Sequence, residues 1–235
     1  MAGNFIRGAF VEFMPTFLVP LPNVIVFQYN PETMTHTWSP AQAAQGQGQG
    51  ESNPLAVRGV PGEMFSFGLA MDARDMVADG SVVAQGLAEV SGIYSRIAAL
   101  EMLLYPTGAV GEGLLGSVSV SAGGISLGGS AEVQRDIPES QLPTVLFVWG
   151  PGRILPVKVT SLTITETLYD GLLNPIHADA QVSLQVLTPE ELKYVSGPLA
   201  GLAQGAYAYS QGLRQVLAVA NLANSAESVI GMLPL

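Results

Sequence analysis

The sequence predicts a mainly β chain of the α+β class, with one helix packed against the strands and a helical, apolar C-terminal extension. Three observations carry that expectation. Short runs rich in Val, Ile, Thr, Phe and Tyr recur between clusters of Gly, Pro and Asn, as strands do. One stretch, from Val83 to Tyr105, has the apolar spacing of a helix. From about Gly197 the chain turns Ala/Leu/Gly-rich and almost uncharged. The organisation expected is a β domain over residues 1–196, with flexible inserts at about 40–54 and 107–130, and an apolar helical extension over 197–235.

Taken in order, residues 1–22 carry one Arg and an apolar stretch that Glu12 and Pro15 interrupt. No small-x-small cleavage site follows, so the segment reads as mature sequence. Residues 23–38 read as a hairpin: a strand, a turn at Asn30-Pro31-Glu32, and a second strand with Met34, His36 and Trp38 on one face. The Gln/Gly tract between Pro40 and Pro54 has no periodic apolar face and reads as a mobile loop. Met64 to Met71 is apolar on both faces, the mark of a strand covered on both sides.

Asp72, Arg74, Asp75 and Asp79 punctuate a turn. The helix after it places Leu87, Val90, Tyr94, Ile97, Leu100 and Leu104 on its packed face, and Pro106 and Gly108 end it. Residues 108–130 mix glycines with Ser/Val alternation, giving either a long loop or a glycine-rich hairpin. Thr144–Gly150, Ile154–Tyr169 and His177–Leu187 read as an antiparallel meander, with turns at Gly150-Pro151-Gly152 and Asn174-Pro175. In the second of these, Val157, Val159, Leu162, Ile164 and Leu168 change parity, which a bulge near Thr160-Ser161 explains. In the tail, Leu213, Val216, Leu217, Ala220, Leu222 and Val229 give a helical pattern that Gly205 and Gly212 weaken.

Composition narrows the function classes. Apolar residues make up 48% of the 235 and charged ones only 12%, with a mean hydropathy of +0.36. Charge at about half the usual share leaves much surface neutral or apolar, which points to surface covered by subunit contacts. A net charge of −10 with 9 thinly spread Lys and Arg disfavours nucleic-acid contact. The absence of cysteine excludes disulfides, a thiol nucleophile and thiolate metal sites, and suits a cytoplasmic setting. No run of about 18 apolar residues occurs, so a single-pass anchor is not supported.

Each chemical motif has a blander reading that outweighs it. Gly111-Glu112-Gly113-Leu114-Leu115-Gly116 has dinucleotide-type glycine spacing, but a helix precedes it and a Ser/Val strand follows, the reverse of the order that motif needs. His177 and Asp179 share a strand face and, with His36, would supply a two-histidine, one-carboxylate metal set. Two histidines are the whole supply, and strand histidines are mostly packed. No nucleophile elbow or zinc-protease signature occurs. Glu190 and Glu191 adjoin a proline where helix-starting acids are common, and Trp38 and Trp149 end strands, where edge packing outranks a sugar platform. No catalytic, cofactor or metal residue is assigned, and the chain is expected not to be an enzyme.

The blocks Phe27-Gln28-Tyr29-Asn30-Pro31-Glu32 and Phe147-Val148-Trp149-Gly150 carry a specific likeness. So does their order with Trp38, a strand ending in Asp72, one helix, and Asn174-Pro175-Ile176-His177. Over about residues 5–190 this resembles the tube-like domain of contractile injection systems and related phage tails, with the two glycine-rich inserts unmatched. The resemblance implies a small antiparallel β-barrel or sandwich with one packed helix. It further implies a homohexameric ring joining the inner tube to the baseplate or spike hub, with sheath or cap as further neighbours. Phe27, Asn30, Pro31, Trp38, Asp72, Trp149, Gly150, Asn174 and Pro175 are its signature positions. Relatives often carry a cell-wall-binding LysM module next; here the apolar tail replaces it, which keeps open a cap or terminator ring at the distal end. Membrane or envelope binding through residues 198–235 is the reading from another class.

Overall fold

The structure, a computed structural model, describes residues 6–13, 22–43, 57–78, 91–105, 118–121, 124–127, 143–195 and 199–232. The chain is mainly β. Its strands are β1 (Ala9–Phe13), β2 (Pro22–Val26), β3 (Met34–Ser39), β4 (Gln42–Ala43), β5 (Val57–Arg58), β6 (Gly62–Asp72), β7 (Val118–Ser121), β8 (Gly124–Leu127), β9 (Val145–Val148), β10 (Ile154–Tyr169) and β11 (Pro175–Val186). Its helices are α1 (Ala73–Ala78), α2 (Tyr94–Met102), α3 (Pro189–Leu192) and α4 (Leu199–Met232). Seven strands form one antiparallel sheet in the order β2-β1-β9-β10-β11-β6-β3.

Strand β10 organises this sheet. Its first residues pair with β9 on one side, Ile154 opposite Val148, and Val157 to Tyr169 pair with β11 on the other. Between Val159 and Ser161 the register with β11 shifts, leaving Thr160 as the extra residue of the expected bulge. Leu155, Val157 and Val159 are buried before the shift, whereas Leu162 and Ile164 pack against the core after it. One inserted residue therefore reconciles the two parities.

The sheet curls strongly. Phe10 on β1 and Phe67 on β6 are four strand steps apart, about 19 Å across a flat sheet, yet their ring centroids lie 6.3 Å apart. Phe27, Phe65 and Phe147 join them, with Phe10 and Phe27 edge to face at 4.9 Å. Ile93, Ile97, Leu100 and Leu103 bury α2 and its flanks in the same cluster. A second apolar layer lies on the opposite face of the sheet, where Ala206 of α4 meets Leu146, Val11 and Ile154.

Several expectations need correction. The hairpin over 23–38 does not form: β2 pairs with β1, β3 pairs with β6, and the two occupy opposite edges. The link between them is committed elsewhere. Phe27 enters the core, Gln28 bonds to Asp72, and Asn30 bonds to Gly8, so no tight turn closes. Strand β1, unread in the sequence, sits between β2 and β9. β6 is covered on one face only: Phe65, Phe67, Leu69 and Met71 are buried, while Met64 and Gly68 are exposed. The turn after Asp72 is instead helix α1, whose start Asp72 caps by accepting from Arg74 N at 2.8 Å.

The expected helix over 83–105 is not continuous, because Gly92 stands at φ +56 and α2 begins at Tyr94. Residues 79–90 lie outside the described residues, as do 44–56 of the Gln/Gly tract and 106–117, which hold the spaced glycines. Within 108–130 the hairpin alternative is realised, with β7 paired to β8. The tail forms α4, one helix of 34 residues that passes through Gly205 and Gly212 unbroken.

Candidate functional site

The signature residues hold the body together. The Gln28 side chain donates to Asp72 O at 2.7 Å and accepts from Asp72 N at 3.0 Å, imitating a neighbouring strand beyond the reach of β3. Asn30 accepts from Gly8 N and donates to Ile6 O, both at 2.9 Å, pinning the chain before β1. Tyr29 OH donates to the Asp75 carboxylate. Pro31, half-buried, follows with no N–H to satisfy. Trp149 packs on Phe27 and Phe147, and Gly150 at φ +68 makes the turn that lets Trp149 N reach Arg153 O at 2.8 Å. A side chain at Gly8 would strike both Phe27 and Trp149. The Pro175 carbonyl accepts from Ile93 N at 3.0 Å and docks α2.

Those contacts leave one broad surface unused, the outer face of β10-β11-β6-β3. Antiparallel pairing sets Thr163 beside Gln181 and Gly68, and Ser161 beside Ser183 and Ser66, with Thr35 next on β3. Gln181 Nε2 donates to Ser66 Oγ at 3.0 Å. The middle of this face is hydroxyl, amide and glycine without charge. Charged groups stand at its ends: Lys158 pairs with Glu191 at 2.8 Å at one, and His177 lies 3.5 Å from Asp72 and 3.9 Å from Asp179 at the other. Among the described residues no strand pairs with the outer edge of β3, or with the edge of β10 that faces away from β11 between Thr160 and Tyr169. Among the described residues this layer thus has an unpaired strand edge on each side.

Helix α4 is clamped to the sheet by small and polar residues. Ala203, Ala206 and Ser210 are buried on one stripe, and Ser210 Oγ donates to Ile154 O at 2.7 Å. Tyr209 OH donates to Pro151 O at 2.9 Å. Farther along, Arg214 grips the Glu63 carboxylate with both terminal nitrogens, the Nη1 bond measuring 2.8 Å. Its guanidinium stacks over Trp38 at 5.0 Å, and His36 Nε2 lies 2.8 Å from the same carboxylate. Glu63 is 3% exposed, so these partners neutralise a buried charge. Past the clamp α4 leaves the body: Val216, Leu217, Val219 and Leu222 are all exposed. Among the described residues no helix is long and apolar enough to cross a membrane.

The candidate chemistry falls on separate places. His36 belongs to the Glu63 clamp and His177 to the far end of β11, so the two histidines do not meet. Among the described residues no three His, Asp or Glu gather in a metal-holding group. Glu191 closes a capping box with Thr188 at the start of α3; burial opposes its charge, but bonds from Lys158 and Thr188 outweigh that and hold its carboxyl below the usual range. Glu190 pairs with Lys193 on the surface at 2.8 Å. Trp38 carries Arg214 on its ring, and Trp149 is committed to the aromatic core. Sequence reasoning missed Gln28, Glu63 and Arg214; the isolated Glu in an apolar strand and the Arg in an uncharged helix were the available signal. No protein-family model and no curated protein matches this chain.

Proposed function

We infer that this chain is a structural subunit that assembles with copies of itself into a ring of a contractile, phage-tail-like injection particle, joining the inner tube to the baseplate or spike. The observation that carries the reading is the four-stranded layer β10-β11-β6-β3. One face is packed, the other is wet and uncharged in its middle, and among the described residues both flanking strand edges are unpaired. Four antiparallel strands per copy give an even count, so β3 of one copy meets β10 of the next in antiparallel sense at every joint. Repeating that joint generates a closed β wall whose lining is hydroxyl and amide. The curled sheet is then a tube-type barrel, with α2 plugging its aromatic interior.

Open edges are an aggregation hazard that natural proteins cover, and self-pairing in a ring covers them without another protein. The low charge of the chain fits contact faces of the size that obligate assemblies bury, above about 2,000 Å². The exposed end of α4 has no role in such a wall. It favours a position where a ring ends or changes partner, either the adaptor or a cap at the distal end.

Native mass spectrometry and electron microscopy of the full-length protein test the ring, with a hexamer expected. A monodisperse monomer that never enters tail particles refutes it. Particles assembled without the protein separate the positions: spikeless or tubeless ones indicate an adaptor, and overlong tubes a cap. A membrane reading rests on the exposed α4 residues alone, and flotation with liposomes before and after truncation at Val195 decides it.

A further inference from the structure

Helix α4 turns to solvent a face that its own body cannot reach. Ala203, Ala206, Ser210 and Arg214 form the stripe that contacts the body. At about 100° of rotation per residue, Val216, Val219 and Leu222 stand roughly 115–175° round the axis from that stripe, and they are 65%, 67% and 69% exposed. On the same outward face, one to four turns earlier, lie Gly201, Gly205, Ala208 and Gly212, all exposed. A Cβ at any of the three glycines meets nothing within 4 Å. The chain's own packing therefore gives no reason for them, although glycine is the poorest helix former after proline. From Gly201 to Leu222 the only charged residue is Arg214, on the body side.

The outward face has two halves of opposite relief, smooth from Gly201 to Gly212 and ridged from Val216 to Leu222. They are complementary about a point beside Arg214. When two such helices run antiparallel, Val216 of each falls opposite Gly212 of the other, Val219 opposite Ala208, and Leu222 opposite Gly205. Ridges then meet positions with little or no side chain, which lets the axes approach closely. Each copy offers both halves, so one twofold axis makes both sets of contacts. In that register nearly all of the 34-residue helix overlaps, a length of about 45 Å. Covering a third of a rod some 12 Å across removes roughly 1,100 Å² from water over both copies, above the ~1,000 Å² that a specific interface needs. The two bodies stand on the outer sides of the helix pair and do not collide. A bilayer fits this face less well, because the ridge occupies only about 9 Å of helix against a hydrocarbon core of about 30 Å.

We propose that α4 pairs antiparallel with α4 of a second copy, the Val216–Val219–Leu222 ridge of each seated on the Gly205–Ala208–Gly212 track of the other. One contact then accounts for both the exposed ridge and the glycines that the chain's own fold leaves unexplained. The pair uses neither the β3 edge nor the β10 edge, so it goes beyond the ring reading and stands without it. Its effect is to double whatever assembly the β strands make, a single chain or a ring.

The glycines supply a test that misfolding does not confound. Leucine at Gly205 and Gly212 meets open space in the single chain and raises helix propensity, so a full-length double variant, Gly205→Leu with Gly212→Leu, should keep or raise the thermal midpoint. Sedimentation velocity at high concentration should give the parent twice the mass of that variant. Equal masses, whatever their value, overturn the proposal. A parent of single-chain mass that floats with phosphatidylcholine vesicles, and stops doing so on Val219→Ser, assigns the face to lipid and overturns it too. The chain contains no cysteine, so disulfide trapping reads the orientation. Gly212→Cys protein mixed with Val216→Cys protein should give a linked pair on oxidation, and neither should pair with itself; self-pairing alone signals parallel helices and overturns the register. Electron microscopy of the double variant reports the ring separately. Rings of half the parent's mass leave the ring reading intact, and a parent that pairs but never forms rings sinks that reading alone.

Discussion

Replacing Gly92 by alanine should cost far more than its position in a short connection implies. At φ +56 a Cβ costs about 1–2 kcal/mol by backbone sterics alone. That Cβ would also lie 2.2 Å from the Pro175 carbonyl oxygen, which no relaxed structure tolerates. Backing away stretches the adjacent Ile93 N to Pro175 O bond of 3.0 Å, worth about 1 kcal/mol. It also lifts Ile93 and Ile97, 0% and 1% exposed, from their packing, for about another 1 kcal/mol. The total is about 3–4 kcal/mol, on the order of 10 °C in thermal midpoint for a chain of this size. Gly59→Ala is the matched control: its φ is +82 but nothing lies within 4 Å of the added carbon. Urea unfolding of both variants isolates the contact as their difference, about 2 kcal/mol. Equal losses would show that Pro175 does not seat α2 through Gly92.

Arg214→Ala should strip amide-exchange protection from α4 around residue 214 and destabilise the chain by about 2–3 kcal/mol, because Glu63 keeps only His36; unchanged protection refutes the clamp. Gln28→Leu orphans the Asp72 N–H and carbonyl and should cost about 2 kcal/mol in urea unfolding; a loss under 0.5 kcal/mol would mean other groups satisfy them. Two carboxylates give opposite pH signatures. Glu191 is held below its ordinary value of 4.5, so its stabilisation is complete above that value and lost as pH falls through the lower folded value. Glu191→Gln should lower the urea midpoint at pH 7 by about 0.5 kcal/mol equivalent and converge with the parent in acid. Burial holds Glu12 above 4.5 despite its Asn23 bond, so its ionisation opposes folding as pH rises through the higher folded value, and Glu12→Gln should gain stability only above that window. Parallel pH profiles for parent and variant would refute either assignment.

The β character and the C-terminal meander were legible because periodicity and turn residues act locally, as at Gly150-Pro151-Gly152; the β10–β11 turn falls just before the expected Asn174-Pro175, between Asp170 and Asn174, and Pro175 opens β11. The bulge at Thr160 was legible for the same reason: a parity change in an apolar strand has one economical explanation. Pairing partners were not legible. Val24 and Met34 lie close in sequence, and nothing local reveals that Gln28 and Asn30 spend their amides on Asp72 and Gly8 instead of on a turn. β1 escaped notice because five strand residues between apolar neighbours carry little periodic signal. The clamp on α4 joins Glu63 to Arg214, 151 positions apart, and only folding brings them together. For α4 itself, the glycines that weakened the helical pattern are solvent-facing, where their cost is entropic and small beside the packing of Ala203 and Ala206.

Thr160 has a consequence out of proportion to one residue. Upstream of it β10 turns odd-numbered side chains to the core, and downstream even-numbered ones. Deleting that threonine would splice the two halves into one regular alternation, with Val159 and Leu162 still inward and Ser161 still outward; deleting Thr163 instead, where no extra residue absorbs the loss, would turn Ile164 onto the wettable wall and drive Thr165 into the oily interior. Insertions and losses of one codon are tolerated in most surface loops. Here the reading frame of a strand is as strict as that of a gene.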